Sequence, residues 1–141
     1  MFAKRLLVVM CVAAVGACTL DKQSAPDLTG PSGLALNLDV RATPDALTRD
    51  GVSQSTISVT ATNGAGQVVS GLGLRFTVSP NLGSVTPVAG STNSSGRATV
   101  TYTAPGEGGD TTTTITVTPV STNYQNTVAR TITIRLYRPI S

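Results

Sequence analysis

The sequence predicts an all-β fold, a two-layer antiparallel β-sandwich, on three observations. Beyond residue 33, apolar and polar residues alternate with period two in segment after segment. Clusters of Gly, Pro, Asn and Asp interrupt that alternation every ~8 to 12 residues. Thr and Ser supply 23 and 13 of the 141 residues, whereas Lys supplies two and Glu one, so β-branched strand formers displace the straight-chain residues that build helices. About seven short strands in ~100 residues is the size of an immunoglobulin-like sandwich. A 14.3 kDa chain has room for one such domain.

The elements follow in chain order. Met1 to Arg5 carries Lys4 and Arg5, and Leu6 to Ala17 is free of charge, the pattern of a secretory signal peptide in residues 1–17. A membrane-spanning helix needs ~20 apolar residues, and Asp21 and Lys22 arrive too soon. Residues 18–32 form the next unit. Thr19 to Ser32 is polar, punctuated by Pro26, Gly30 and Pro31, and reads as a flexible tether.

The sandwich is expected over residues 33–141. Leu34, Leu36, Leu38 and Val40 face one way in its first strand, and Ile57, Val59 and Ala61 do so in the second, which ends at the turn signal Asn63 to Gly66. Gln67 to Ser70 is a short piece. Leu72, Leu74, Phe76 and Val78 then form an inward row that Pro80 closes, and a weaker strand lies near Gly83 to Thr86. Ala98, Val100 and Tyr102 alternate with Thr99 and Thr101. The Gly-rich loop Pro105 to Asp110 leads into Thr113 to Val120, with Ile115 and Val117 inward. The final strand spans Thr127 to Tyr137, with Ile132, Ile134 and Leu136 inward. Arg130 falls on the inward phase of that strand, so either a bulge shifts the register there or the first half runs beyond the core; the bulge is the preferred reading. The expected core is Leu36, Leu38, Ile57, Val59, Leu74, Phe76, Val78, Val100, Tyr102, Ile115, Val117, Ile132 and Ile134.

Two resemblances add to this reading. Val15, Gly16, Ala17 and Cys18 resemble the lipobox of bacterial lipoproteins, in which small residues precede a cysteine that is acylated and becomes the new amino terminus. Cys18 is thus the expected lipidation site; Cys11 follows the bulky Val9 and Met10 and lacks that context. The resemblance implies a membrane anchor of several acyl chains, and Thr19 in place of Asp directly after the cysteine implies outer-membrane rather than inner-membrane residence. The run Ala42 to Ala104 resembles a bacterial Ig-like domain of the invasin/intimin group, through Asp50-Gly51, the turn Asn63 to Val69 leading to Phe76, and the segment Thr92 to Val100. Val68 stands where that family usually has Pro, and Asn63 where Asp is common. The resemblance implies a rigid spacer or adhesive module at the cell surface.

Chemistry-bearing residues are scarce. The chain has no histidine, which removes the commonest proton shuttle and metal ligand and all Ser/His/Asp or Cys/His catalysis. Cleavage before Cys18 would take Lys4 and Arg5 away, leaving Lys22 and seven scattered arginines nearly balanced by seven carboxylates. No basic stripe with interleaved aromatics is present, so no nucleic-acid partner is expected. With Cys11 removed and Cys18 acylated, no cysteine pair is left to form a disulfide. Lys22 is the sole lysine beyond the signal segment and lies in the tether, which excludes a Lys–Asn crosslink inside the domain.

Gly64, Gly66 and Gly71 lack the spacing of a phosphate loop and read as turns. Glu107 with Asp110, and Asp45 with Asp50, offer too few oxygens for a Ca²⁺ site. The expectation is a protein with no catalytic residues, cofactor, metal or small-molecule substrate. It is a non-enzymatic structural or adhesive module of the bacterial cell envelope, anchored to the membrane by lipid and meeting a protein or glycan partner. The alternative is a carbohydrate-binding or enzyme-accessory subunit, for which Tyr124 and Tyr137 would be the exposed aromatics. Paired aromatics on one sheet would favour that alternative, and a bare Thr-rich surface the adhesive module.

Overall fold

A computed structural model describes residues 35–121, 123–124 and 128–140. The proposed signal peptide, Cys18, the tether and Leu34 lie outside the described residues. Among the described residues nine strands run in order: β1 (Leu36–Thr43), β2 (Ala46–Thr48), β3 (Gln54–Asn63), β4 (Gly73–Ser79), β5 (Ser84–Thr86), β6 (Ala89–Ser91), β7 (Arg97–Thr103), β8 (Thr111–Val120) and β9 (Arg130–Tyr137). One sheet has the order β1-β3-β7-β5 and the other β2-β9-β8-β4-β6.

The expected sandwich forms, with two short strands added and one departure from antiparallel pairing. β2 lies parallel to β9, Ala46 beside Arg135 and Thr48 beside Tyr137. Only Leu47 points into the core from β2, so three residues after Pro44 and Asp45 carry no alternation to read. β6 is exposed at every residue and lacks apolar signal altogether. Gln67 to Ser70, expected as a short strand, contributes a single bridge between Thr62 and Val68.

The bulge expected at Arg130 is absent. β8 and β9 pair without interruption from Thr111–Leu136 to Val117–Arg130, leaving no extra residue on either strand. The other reading holds: Val128, Ala129 and Arg130 are exposed, and the strand begins beyond the core. The cause is the shortness of β2, which flanks β9 only from Arg135 to Tyr137 and leaves the start of β9 at a sheet edge.

Between the sheets lies one core. Ile57, Val59, Ala61, Leu74, Tyr102, Ile115, Val117, Ile134 and Leu136 are at most 1% exposed, and Phe76 is 3% exposed. Leu36, Val78 and Ile132, expected inside, are only half-buried and pack against the core from its margin. Leu36 opens an edge strand, Val78 nearly ends β4, and Ile132 lies on the unflanked part of β9. Leu38, Leu47, Val69, Leu72, Val85, Ala98, Val100 and Ala104 complete the interior.

Among the described residues, buried side-chain polar groups are paired except Arg49 Nε. The Tyr102 hydroxyl donates to Leu82 O at 2.7 Å, Ser55 Oγ donates to Pro44 O at 2.6 Å, and Thr92 Oγ1 accepts from Leu72 N and donates to Val69 O. Each bond of this kind is worth ~1 kcal/mol net, and more is lost if one partner is removed and the other stays buried.

Two turns share one design. Asn63 Oδ1 accepts from Ala65 N and Gln67 N, and Asn93 Oδ1 accepts from Ser95 N and Arg97 N. In both, a glycine three residues after the Asn takes a positive φ, 79° at Gly66 and 70° at Gly96. Gly96 is also packed: a β-carbon there would sit 2.8 Å from Ala61 O and 2.9 Å from Val68 Cβ.

Candidate interaction surface

Strand directions divide the molecule into two ends. β1 begins, and the two Asn turns lie, at one end; β9 finishes at the other, beside the Asp50 turn and the Pro105 to Asp110 loop. This second end carries most of the carboxylates weighed as possible ligands, and Asp50, Asp110 and Asp45 are each engaged there. Asp50 Oδ1 accepts from Val52 N at 2.9 Å and Ser53 N at 2.6 Å, while Oδ2 accepts from the Ser53 hydroxyl at 2.6 Å. The Ser53 hydroxyl, then the Ser53 and Val52 amides, hold the Asp50 pKa down to about 2. Gly51, at φ 77°, makes this turn possible.

Asp110 Oδ1 accepts from Arg138 N at 2.8 Å, and Asp45 pairs with Arg135 at 3.0 Å. Asp110 and Asp45 are thus each held by a partner on β9 or just beyond it. Among the described residues no three His, Cys, Asp or Glu side chains gather to hold a metal ion.

Arg49 links the loops. Its backbone N–H donates to Tyr137 O at 2.8 Å, its carbonyl accepts from Glu107 N at 3.1 Å, and its Nη1 donates to Gly109 O at 2.8 Å. In the sequence Arg49 is one scattered charge among seven, and no local pattern links it to a loop sixty residues away. Thr48, Asp110, Tyr137, Arg138, Pro139 and Ile140 line an open groove beside it. Val52, Tyr137 and Ile140 expose apolar surface at this end.

The aromatics do not form a sugar-stacking platform. Phe76 and Tyr102 are in the core, Tyr124 is half-buried against it beyond β8, and Tyr137 is 44% exposed at the opposite end. The outer face of the five-stranded sheet is instead a threonine array. Thr77, Thr116 and Thr131 form one cross-strand row, and Ser79, Thr114 and Thr133 the next.

Known structures share this architecture. The D0-D1 domain of intimin matches with TM-score 0.57 and 20% identity over 70% of this chain and 46% of that one. The fold is the intimin-type Ig-like sandwich. A C-terminal 282-residue fragment of intimin, solved in complex with the intimin-binding domain of the translocated intimin receptor, matches with TM-score 0.57 and 18% identity over 72% of this chain and 33% of that one. The Yersinia pseudotuberculosis adhesin InvE matches with TM-score 0.55 and 24% identity over 76% and 29%. The chain thus spans less than half the length of these structures. No family model matches the sequence, and no curated protein does. The Ig-like fold expected from Ala42 to Ala104 is the one observed: the Asp50-Gly51, Asn63 and Thr92 to Gly96 motifs are each turns or pins that set its strand spacing.

Proposed function

We propose that this chain is a non-enzymatic interaction module of the bacterial cell envelope, anchored by lipid at Cys18 and held off the outer membrane by residues 19–32. The observation that carries the reading is the intimin-type sandwich itself, shared with domains of intimin, one fragment of it in complex with a receptor domain, and of the adhesin InvE. The described surface supports it. Asp45, Asp50 and Asp110 at the β9 end are engaged in turns, a backbone bond or an ion pair, and the outer sheet face presents hydroxyls without paired aromatics. Adhesion by such a module depends on shape and loop contacts rather than on a reactive group.

Metabolic labelling with a palmitate analogue tests the anchor. The wild-type chain should take up label and fractionate with membranes, and Cys18→Ala should take up none and accumulate as uncleaved or mislocalised precursor. Label retained by Cys18→Ala would place the lipid elsewhere and end the assignment.

A further inference from the structure

The outer edge of β1, which has no partner strand among the described residues, is complementary to itself. Ala61 N donates to Gly96 O and Ala61 O accepts from Val69 N, so both backbone groups of Ala61 turn toward β7. Leu38, opposite Ala61, therefore directs its own N–H and C=O away from β3. The strand alternation places Leu36, Val40 and Ala42 in the same orientation. Among the described residues β3 is the only strand that pairs with β1, so these groups form an open row along an eight-residue strand.

Edges of this length are usually guarded by charged side chains, above all lysine, or by a proline, an inward charge or a bulge. LNLDVRAT has no lysine, proline, inward charge or bulge, and its only charges are one acid and one base. Its inward side chains Leu36, Val40 and Ala42 are half-buried at the margin of the core, and its outward charges are the exposed pair Asp39 and Arg41, 2.9 Å apart.

We propose that this edge is a homotypic interface, in which β1 pairs antiparallel with β1 of a second copy about a two-fold axis through Val40. In that register Asp39 lies opposite Arg41 of the second copy, and Arg41 opposite its Asp39. Leu38 meets Ala42, and the two Val40 residues exchange both backbone hydrogen bonds. The charged residues fall at the positions that do not exchange bonds, where cross-strand side chains approach closest. A slip by two residues one way sets Asp39 against Asp39, and the other way Arg41 against Arg41, so the same two charges that favour this register penalise its neighbours. The two four-stranded sheets become one of eight strands.

Cysteine trapping in cells expressing the full chain tests the interface. Asn37 lies opposite Thr43 in the proposed register, at a Cα spacing of ~4.5 Å that a disulfide accepts. Asn37→Cys/Thr43→Cys should give a reduction-sensitive dimer, and Asn37→Cys alone should not. Adding Asp39→Arg or Arg41→Asp to the double-cysteine chain should lower the dimer about tenfold, since two attractive pairs become repulsive. Co-expressing the two charge variants with tags of different size should restore a mixed dimer, because an edge carrying two arginines then faces an edge carrying two aspartates. That rescue separates a charge effect from misfolding of either variant. No dimer from the double-cysteine chain, equal dimer in every charge background, or single-variant loss without rescue each overturns the proposal.

Discussion

Replacing Phe76 by Ala measures the core directly. The ring sits mid-strand on β4, is 3% exposed, and lies across from Val117, itself fully buried. It faces a core built from both sheets, which the β-strand backbone holds at fixed spacing, so the space left by the ring cannot close by local collapse. Removing a buried Phe under such conditions costs about 3 to 5 kcal/mol, the lost transfer energy plus a cavity term. A domain of this size has a total stability of about 5 to 15 kcal/mol, so the variant should be severely weakened and its thermal midpoint lowered by well over ~10 °C. Thr77→Ala, one residue along and on the outer face, should change stability by less than ~0.5 kcal/mol. Urea titration of both variants with the slope held as a free parameter decides the matter. A Phe76→Ala loss below ~1 kcal/mol at unchanged slope would show that the inward phase of β4 is misplaced.

Other outcomes follow from the polar pins and from the absent chemistry. Tyr102 has its pKa raised by burial, so the folded state resists ionisation; stability should hold below pH ~10 and fall as the unfolded chain ionises above it, and Tyr102→Phe should lose ~1 kcal/mol at neutral pH while losing less on alkaline titration. Asp50, held near pKa 2 by its turn, contributes stability that is present above the unfolded value near 4 and lost as pH falls toward 2; Asp50→Asn should flatten that part of an acid denaturation curve. Purified protein should show no hydrolase activity on glycan, ester or peptide panels, and chelators should leave its melting temperature unchanged; turnover abolished by changing Asp45, Asp50, Glu107 or Asp110 would point instead to an acid-pair enzyme.

Much of the sandwich is legible in the sequence because long strands write their burial into it. β3, β4, β7 and β8 each carry three or more inward residues at period two, and all four have the inward face that the alternation predicts. β2 and β6 escape, because three residues give the period nothing to repeat. Arg130 misleads for a related reason: phase alone says which way a residue points and not whether a neighbouring strand covers it. The surface is less legible still. That Asp45 meets Arg135, or that Arg49 reaches Gly109, depends on strand register, which no local segment encodes. The Asn turns do leave a signal, Asn-x-x-Gly at Asn63 and again at Asn93, of which only the first, Asn63 to Gly66, reads as a turn.

The parallel seam between β2 and β9 decides how the domain bears mechanical load. The strands begin with β1 at one end of the sandwich and finish with β9 at the other, so tension drawn between those points runs along the strands. Across the seam, Arg135 N is bonded to Asp45 O, Arg49 N to Tyr137 O, and the Asp45 carboxylate to the Arg135 guanidinium. Because β2 and β9 point the same way, pulling slides them past one another and strains all these links at once instead of peeling them singly. A shear joint of this kind yields only when its whole set of bonds fails together, and here that joint closes the sandwich against a pull applied through its first and last strands.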